Sequence, residues 1–222
     1  MTVSPLLTYM FRAATRSAHR FMTPLHASTQ MSIHSASGAQ FVKEMGMARV
    51  VPARECTLEE ISAIAGTGLE VEVFVHGAMC ISYSGRCLLS NYLAGRDSNH
   101  GECVQACRWH YSLVEDERPD EKFELQEDER GAYILNSKDM CLIEYLDRLA
   151  AAGVTSFKIE GRMKSPYYVA TVVNAYRRAL DELELSRKQG REYRVSDELL
   201  GELKKASHRK YTTGFMFNDG EA

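Results

Sequence analysis

Long apolar runs are missing from this 222-residue chain. No stretch approaches the roughly 18 uninterrupted apolar residues that a membrane-spanning helix needs, so a soluble, cytoplasmic protein is expected. Cysteine is scarce as well: six in 222 residues cannot make a disulfide scaffold, and reduced thiols are expected. Neither charge sign dominates, and a net charge of −3 gives no global attraction to nucleic acid, so any RNA contact must come from a local basic surface. The chain contains no His-Glu-x-x-His pair, no Gly-x-Ser-x-Gly elbow and no Gly-rich phosphate loop, which removes the commonest hydrolytic and nucleotide-binding signatures. Acidic residues are absent from positions 1–43, where Arg12, Arg16 and Arg20 lie among Ser, Thr and Ala. Organelle transit peptides share that composition, but the strand count given next favours a chain that starts inside a longer gene product.

What is present, 45% hydrophobic and 26% charged residues, is the composition of an ordinary globular domain. From position 24 onward, short β-like runs at 25–28, 49–53, 69–76, 132–136 and 156–160 alternate with helical patterns at 38–46, 57–65, 138–152 and 165–184. That alternation predicts an α/β fold with parallel strands. Thr57-Leu-Glu-Glu60 has the spacing of a capping box, which gives the second helix a defined start. In the last helix Val169, Val172, Val173, Tyr176, Leu180 and Leu183 recur at steps of three and four and are expected to form its core face. Five strand–helix repeats make a partial TIM-like (β/α) barrel, since a closed one uses eight strands. The expected organisation is an atypical segment over 1–23, a partial barrel over 24–190 with a Cys-rich insertion at 77–131, and the start of a truncated C-terminal module over 191–222. The acidic stretch 115–130, with nine acidic and three basic residues, reads as a solvated hairpin or loop.

The insertion carries the chemistry. His76-Gly-Ala-Met-Cys-Ile-Ser-Tyr-Ser-Gly-Arg-Cys87 continues to Gly101-Glu-Cys103, and Cys141 follows. Paired zinc ligands usually stand two to four residues apart, so these spacings suit structural zinc poorly. Four thiolates from separated loops instead suit a [4Fe–4S] cluster, with Cys80, Cys87, Cys103 and Cys141 as candidate metal ligands. Cys107, four residues after Cys103, is a rival ligand, and buried thiols acting as small hydrophobes are the plainer alternative. Cys56 has no partner spacing and is expected in the core.

Charged groups also gather at the ends of the expected strands. His76, Lys158, Glu160 and Arg162 are substrate-binding candidates, because Arg and Lys converging on one barrel face can clamp a carboxylate; a ring of salt bridges is the alternative. Arg86, Arg96, Arg108 and Trp109 interleave cations with an aromatic ring and are RNA-contact candidates, set against the alternative of a solvated loop.

These residues also carry a family likeness. Glu72-Val-Phe74, Gly77-Ala-Met-Cys80, Gly85-Arg-Cys87 and Ser90 resemble the signature Glu-x-Phe-x-x-Gly-Ala-x-Cys-x-x-x-x-Gly-x-Cys-x-x-Ser of peptidase family U32, the collagenase-like proteins. Agreement extends to His26-Ala-Ser-Thr-Gln30, Asn99-His-Gly-Glu-Cys103, Asn136-Ser-Lys-Asp139, Lys158-Ile-Glu-Gly-Arg162 and His208-Arg-Lys-Tyr-Thr-Thr-Gly214. Within the family the chain most resembles the tRNA-hydroxylating group. The resemblance implies an iron–sulfur protein that takes part in oxygen-independent 5-hydroxylation of tRNA wobble uridine, with prephenate as the oxygen source and cluster cysteines at positions 80, 87, 103 and 141. The implied partners are tRNA, a small carboxylate donor and a partner subunit. The competing classes are a U32-type peptidase and a non-catalytic, cluster-bearing subunit of a hydroxylase complex.

Overall fold

A computed structural model of the chain describes residues 23–109, 111–115, 118–124 and 137–217. The expected strand at 132–136 and residues 1–22 lie outside the described residues. In chain order the elements are β1 (His26–Ala27), α1 (Ala36–Glu44), β2 (Arg49–Val50), α2 (Leu58–Ala65), β3 (Glu70–Ala78), α3 (Leu89–Ala94), β4 (Ser112–Glu115), β5 (Arg118–Glu124), β6 (Asp139–Cys141), α4 (Leu146–Ala151), β7 (Ser156–Ile159), α5 (Pro166–Gln189), α6 (Asp197–Lys205) and β8 (Tyr211–Thr212).

Strands β1, β2, β3 and β7 lie side by side and parallel, with His26 opposite Arg49, Arg49 opposite Glu70, and Phe74 opposite Lys158. Together with the flanking helices this makes a mixed α/β fold whose sheet is mainly parallel. Strand β3 organises it through its period of two. Val71, Val73 and Val75 are buried on one face, while Glu72 and Phe74 take the other. Each buried valine contributes on the order of 1.5–3 kcal/mol.

The helix ends follow local chemistry. In α2 the Thr57 hydroxyl accepts from the Glu60 N–H at 3.3 Å and the Glu60 carboxylate accepts from the Thr57 N–H at 2.8 Å, completing the expected capping box. Helix α5 opens with Ser165 accepting from the Tyr168 N–H and Pro166 in its first turn, and Gly190 at φ +64 closes it. Such caps contribute about 1 kcal/mol each. The α5 core face is rotated from the expected stripe. Tyr168, Val172, Ala175, Tyr176, Ala179 and Leu183 are buried, whereas Val169 and Val173 are 38% and 48% exposed. Alanines let the helix lie close to the sheet, a contact that an apolar-periodicity count passes over.

The expected helix at 138–152 needs the larger correction. Its first residues form β6, antiparallel to the end of β3 with Cys141 opposite His76, and α-helix begins only at Leu146. Strand β3 runs on past β2, whose pairing ends at Val71, and on that edge, opposite β7, its last residues are free to pair; that pairing outweighs the helical pattern. Strand β8 then joins β6 in parallel. Beyond residue 190, Tyr193, Leu199, Leu203, Ala206 and Met216 enter the main core. The described residues of the acidic stretch, 115 and 118–124, belong to β4 and β5, which pair antiparallel.

Candidate functional site

The carboxyl ends of the four parallel strands converge on one solvent-open cleft with a volume of about 170 Å³. Thr29 and Gln30 come from the loop after β1, Arg54 from the loop after β2, Met79 and Cys80 from the end of β3, and Glu160 and Arg162 from the loop after β7. Loops at this end of a parallel sheet are where α/β folds bind ligands, because the chain there is free of ladder pairing.

Two glycines set the shape. At Gly77 (φ +108) an added Cβ would stand 2.4 Å from the Glu160 carbonyl oxygen, and at Gly85 (φ +73) one would stand 2.4 Å from the Gln30 carbonyl oxygen. Both positions combine a left-handed backbone with contact against another segment's main chain, which only glycine tolerates. The loop at Ser84 is bolted further. Ser84 is buried, its N–H donates to Glu55 at 3.0 Å, its hydroxyl accepts from the Arg54 N–H at 3.1 Å, and its carbonyl accepts from the Ser32 hydroxyl.

Four thiols line the cleft: Cys80, Cys87, Cys103 and Cys107. They sit close enough to feel one another. Burial pushes the Cys80 thiol up, Arg54 opposes this, and Cys87 and Cys103 add to it. Burial likewise pushes Cys107 up, with Cys80 and Cys103 contributing. Cys87 differs: burial acts to raise it, but the N–H groups of Leu89 and Ser90 and the hydroxyls of Ser82 and Ser98 prevail and hold it below the ordinary thiol range. The Gln105 N–H lies 3.3 Å from Cys103 Sγ. At Cys87 the donors favour thiolate over thiol. Among the described residues, no three His, Cys, Asp or Glu side chains converge on a point where they could hold one metal ion.

Cys141 is elsewhere. It lines a separate groove with Glu144, Tyr145 and Tyr211, and burial raises its thiol, opposed by the Ile143 N–H and the Tyr176 hydroxyl. Cys56 is in the core, its thiol 3.8 Å from the Ile33 carbonyl oxygen, and burial pushes it up to about 12.

Two cations in the same cleft stand by an aromatic ring. Arg54 and Lys158 stand 6.0 Å and 5.3 Å from the Phe74 ring centroid. Lys158 also bonds Glu72 at 2.9 Å, and Glu72 in turn accepts from Arg49 at 3.0 Å and Ser156 at 3.1 Å, so one carboxylate ties together β2, β3 and β7. Partial burial acts to raise Glu72, but Lys158, Ser156 and Arg49 prevail and keep it ionised below the usual range. Glu160 accepts from the Arg162 N–H at 2.9 Å and shapes the turn that carries Arg162 to the cleft.

The structure therefore brings Lys158, Glu160 and Arg162 together as expected, but not His76. His76 is buried away from the cleft, with Tyr168, Tyr176 and Tyr211 around it at ring separations of 6.1, 5.4 and 5.4 Å. It cannot meet a substrate there, because β3 turns that side chain toward α5 and β8. Arg108 is also unlike the other RNA-contact candidates. Its side chain is only 10% exposed, pairs with the fully buried Asp139 at 2.5 Å and donates to the carbonyls of Met79, Ser137 and Lys138. That bracing turns most of Arg108 inward, although it still lines the cleft, whereas Arg86, Arg96 and Trp109 are exposed. Phe74 and Gln30 were not among the expected site residues; the strand-end rule extended to β1 finds Gln30.

The model of peptidase family U32 matches residues 11–222. Among curated proteins, tRNA hydroxylation protein P of Escherichia coli (strain K12) is 38% identical over 87% of this chain and 50% of its own length. tRNA hydroxylation protein P1 of Bacillus subtilis (strain 168) is 42% identical over 86% of this chain and 45% of its own. The 23S rRNA 5-hydroxycytidine C2501 synthase of E. coli (strain K12) is 41% identical over 72% of this chain and 23% of its own. The chain spans about half the length of the tRNA hydroxylation proteins it matches. No solved structure matches it significantly.

Proposed function

The chain belongs to peptidase family U32, and from that premise we propose that it is the cysteine-bearing part of an enzyme that hydroxylates a nucleobase in RNA, with tRNA wobble uridine as the substrate. The observation that carries this reading is the shared lining of the cleft: four thiols in one pocket with Arg54, Lys158, Arg162 and Phe74. The parallel strands β1, β2, β3 and β7 are read as an arc of a (β/α) barrel, with the site at its carboxyl-end face.

The donor set fits an iron–sulfur cluster. Thiols spaced around a cleft, rather than meeting at one point, are what a cluster needs, because each thiolate binds a different iron. Cys80, Cys87, Cys103 and Cys107 would hold it, and Cys141, in its separate groove, would not. When bound, the cluster supplies one-electron redox chemistry. The chain's own residues do the rest. Arg54, Lys158 and Arg162 bind the carboxylates of a small oxygen donor such as prephenate through charge-assisted hydrogen bonds. Phe74 gives its apolar body a surface, and Glu72 and Glu160 fix the cations in place. A partner subunit would complete the RNA site.

The thiol-peptidase alternative needs a base beside a thiol. His76, at an unspecified position of the signature stretch, is enclosed by tyrosines and does not line the cleft, which favours the hydroxylase reading. Expression of the chain in cells lacking their own wobble-uridine hydroxylase, with nucleoside mass spectrometry of their tRNA, tests it. Restored 5-hydroxylation that is lost in Arg162→Ala, with the iron–sulfur absorbance kept, is the expected result. Unmodified tRNA together with iron-independent peptide hydrolysis would overturn it.

A further inference from the structure

Tyr83 is 74% exposed and is one of the residues lining the thiol cleft. An aromatic side chain left in water at a cleft loses the burial that normally pays for its presence, and this one sits on the stiffest turn of the insertion. The Arg86 N–H donates to the Tyr83 carbonyl at 3.0 Å, closing a β-turn whose third residue, Gly85, has φ +73, as a type II turn requires. Ser84, between them, is held by Glu55, Arg54 and Ser32, and Gly85 abuts the Gln30 backbone. The fold thus fixes the backbone under an exposed ring, and the same turn carries the exposed Arg86.

We infer that the Tyr83–Arg86 turn presents the target nucleotide of a single-stranded RNA to the cleft, the Tyr83 ring stacking on the extruded base and Arg86 meeting an adjacent phosphate. Enzymes that react on a base take it out of its stack and hold it between aromatic or apolar faces, and a guanidinium beside a ring matches the alternation of phosphate and base along a strand. The inference rests on the RNA-hydroxylase reading and adds to it the residue that positions the base. Tyr92 provides the contrast: it is 86% exposed but on α3 and outside the cleft lining.

The test is fluorescence anisotropy with the purified, iron-loaded chain and a labelled tRNA anticodon stem-loop, carrying either uridine or an abasic site at the wobble position. Tyr83→Ala should weaken binding of the uridine form by about 5- to 150-fold, the loss typical of removing one base–aromatic stack. It should not weaken the abasic form further. Tyr83→Phe should bind as wild type, since stacking needs the ring and not the hydroxyl, and Tyr92→Ala should change little. Unchanged affinity in Tyr83→Ala, an equal loss on the abasic RNA, or an equal loss in Tyr92→Ala would overturn the assignment while leaving the RNA reading in place. No binding by the wild-type chain would overturn both.

Discussion

Replacing Gly85 by alanine separates two costs that are usually confounded. Gly85 and Gly95 both have a left-handed backbone, at φ +73 and +64, but an added Cβ at Gly95 meets nothing within 4 Å while one at Gly85 stands 2.4 Å from the Gln30 carbonyl oxygen. Gly95→Ala should therefore cost only the conformational term, about 1–2 kcal/mol. Gly85→Ala adds a steric term of about 1–3 kcal/mol, because the opposing atom is main chain and cannot swing aside. The total, about 2–5 kcal/mol, is a large part of the 5–15 kcal/mol that holds a typical domain together. Urea unfolding of both variants and wild type under one buffer gives the difference. Because Ser84 and Gly85 join the β1 and β2 loops to the cysteine insertion, Gly85→Ala should also lower iron loading while Gly95→Ala leaves it intact. Equal destabilisation by the two substitutions would refute the packing argument.

The buried polar groups beneath the site give two further expectations. Burial pushes His76 down from 6.5 to about 4, opposed by Asp139 and aided by His208 and Lys164. Below pH 6.5 the unfolded chain takes up a proton that the folded chain refuses, so stability should fall as pH drops from 6.5 toward 4. The loss is about 3 kcal/mol, and a urea-denaturation series in which His76→Phe shows the same pH slope as wild type would contradict it. Asp139 is fully buried between Arg108 at 2.5 Å, Lys164 at 3.6 Å and the Arg209 N–H at 3.2 Å. Asp139→Ala strands the Arg108 cation and should destabilise by about 3–5 kcal/mol; a melting temperature within a degree of wild type would contradict that.

The parts of this fold that were legible in the sequence are those governed by local rules. Thr57 and Glu60 make their capping box because the spacing alone determines it. The alternation of Val71, Glu72, Val73 and Phe74 reads as a two-sided strand for the same reason. Residues whose roles depend on distant partners were read less well. Asp139 to Cys141 fit a helical pattern until the unpaired end of β3 claims them. Arg108 resembles a surface cation until Asp139, 31 positions later in the chain, turns it inward. The cysteines show both cases. That Cys80, Cys87 and Cys103 share one cleft agrees with their glycine-punctuated spacing, but whether Cys107 or Cys141 lines it with them depends on how the loop after Cys103 folds back, and no spacing rule supplies that.

Iron and sulfide analysis of the anaerobically reconstituted chain, repeated for single Cys→Ser variants, tests the central claim most directly. The account predicts about four irons per chain for wild type, loss of the cluster absorbance in the variants at Cys80, Cys87, Cys103 and Cys107, and full iron in Cys141→Ser. A wild-type chain that takes up no iron, or full loading in Cys107→Ser with loss in Cys141→Ser, would contradict it.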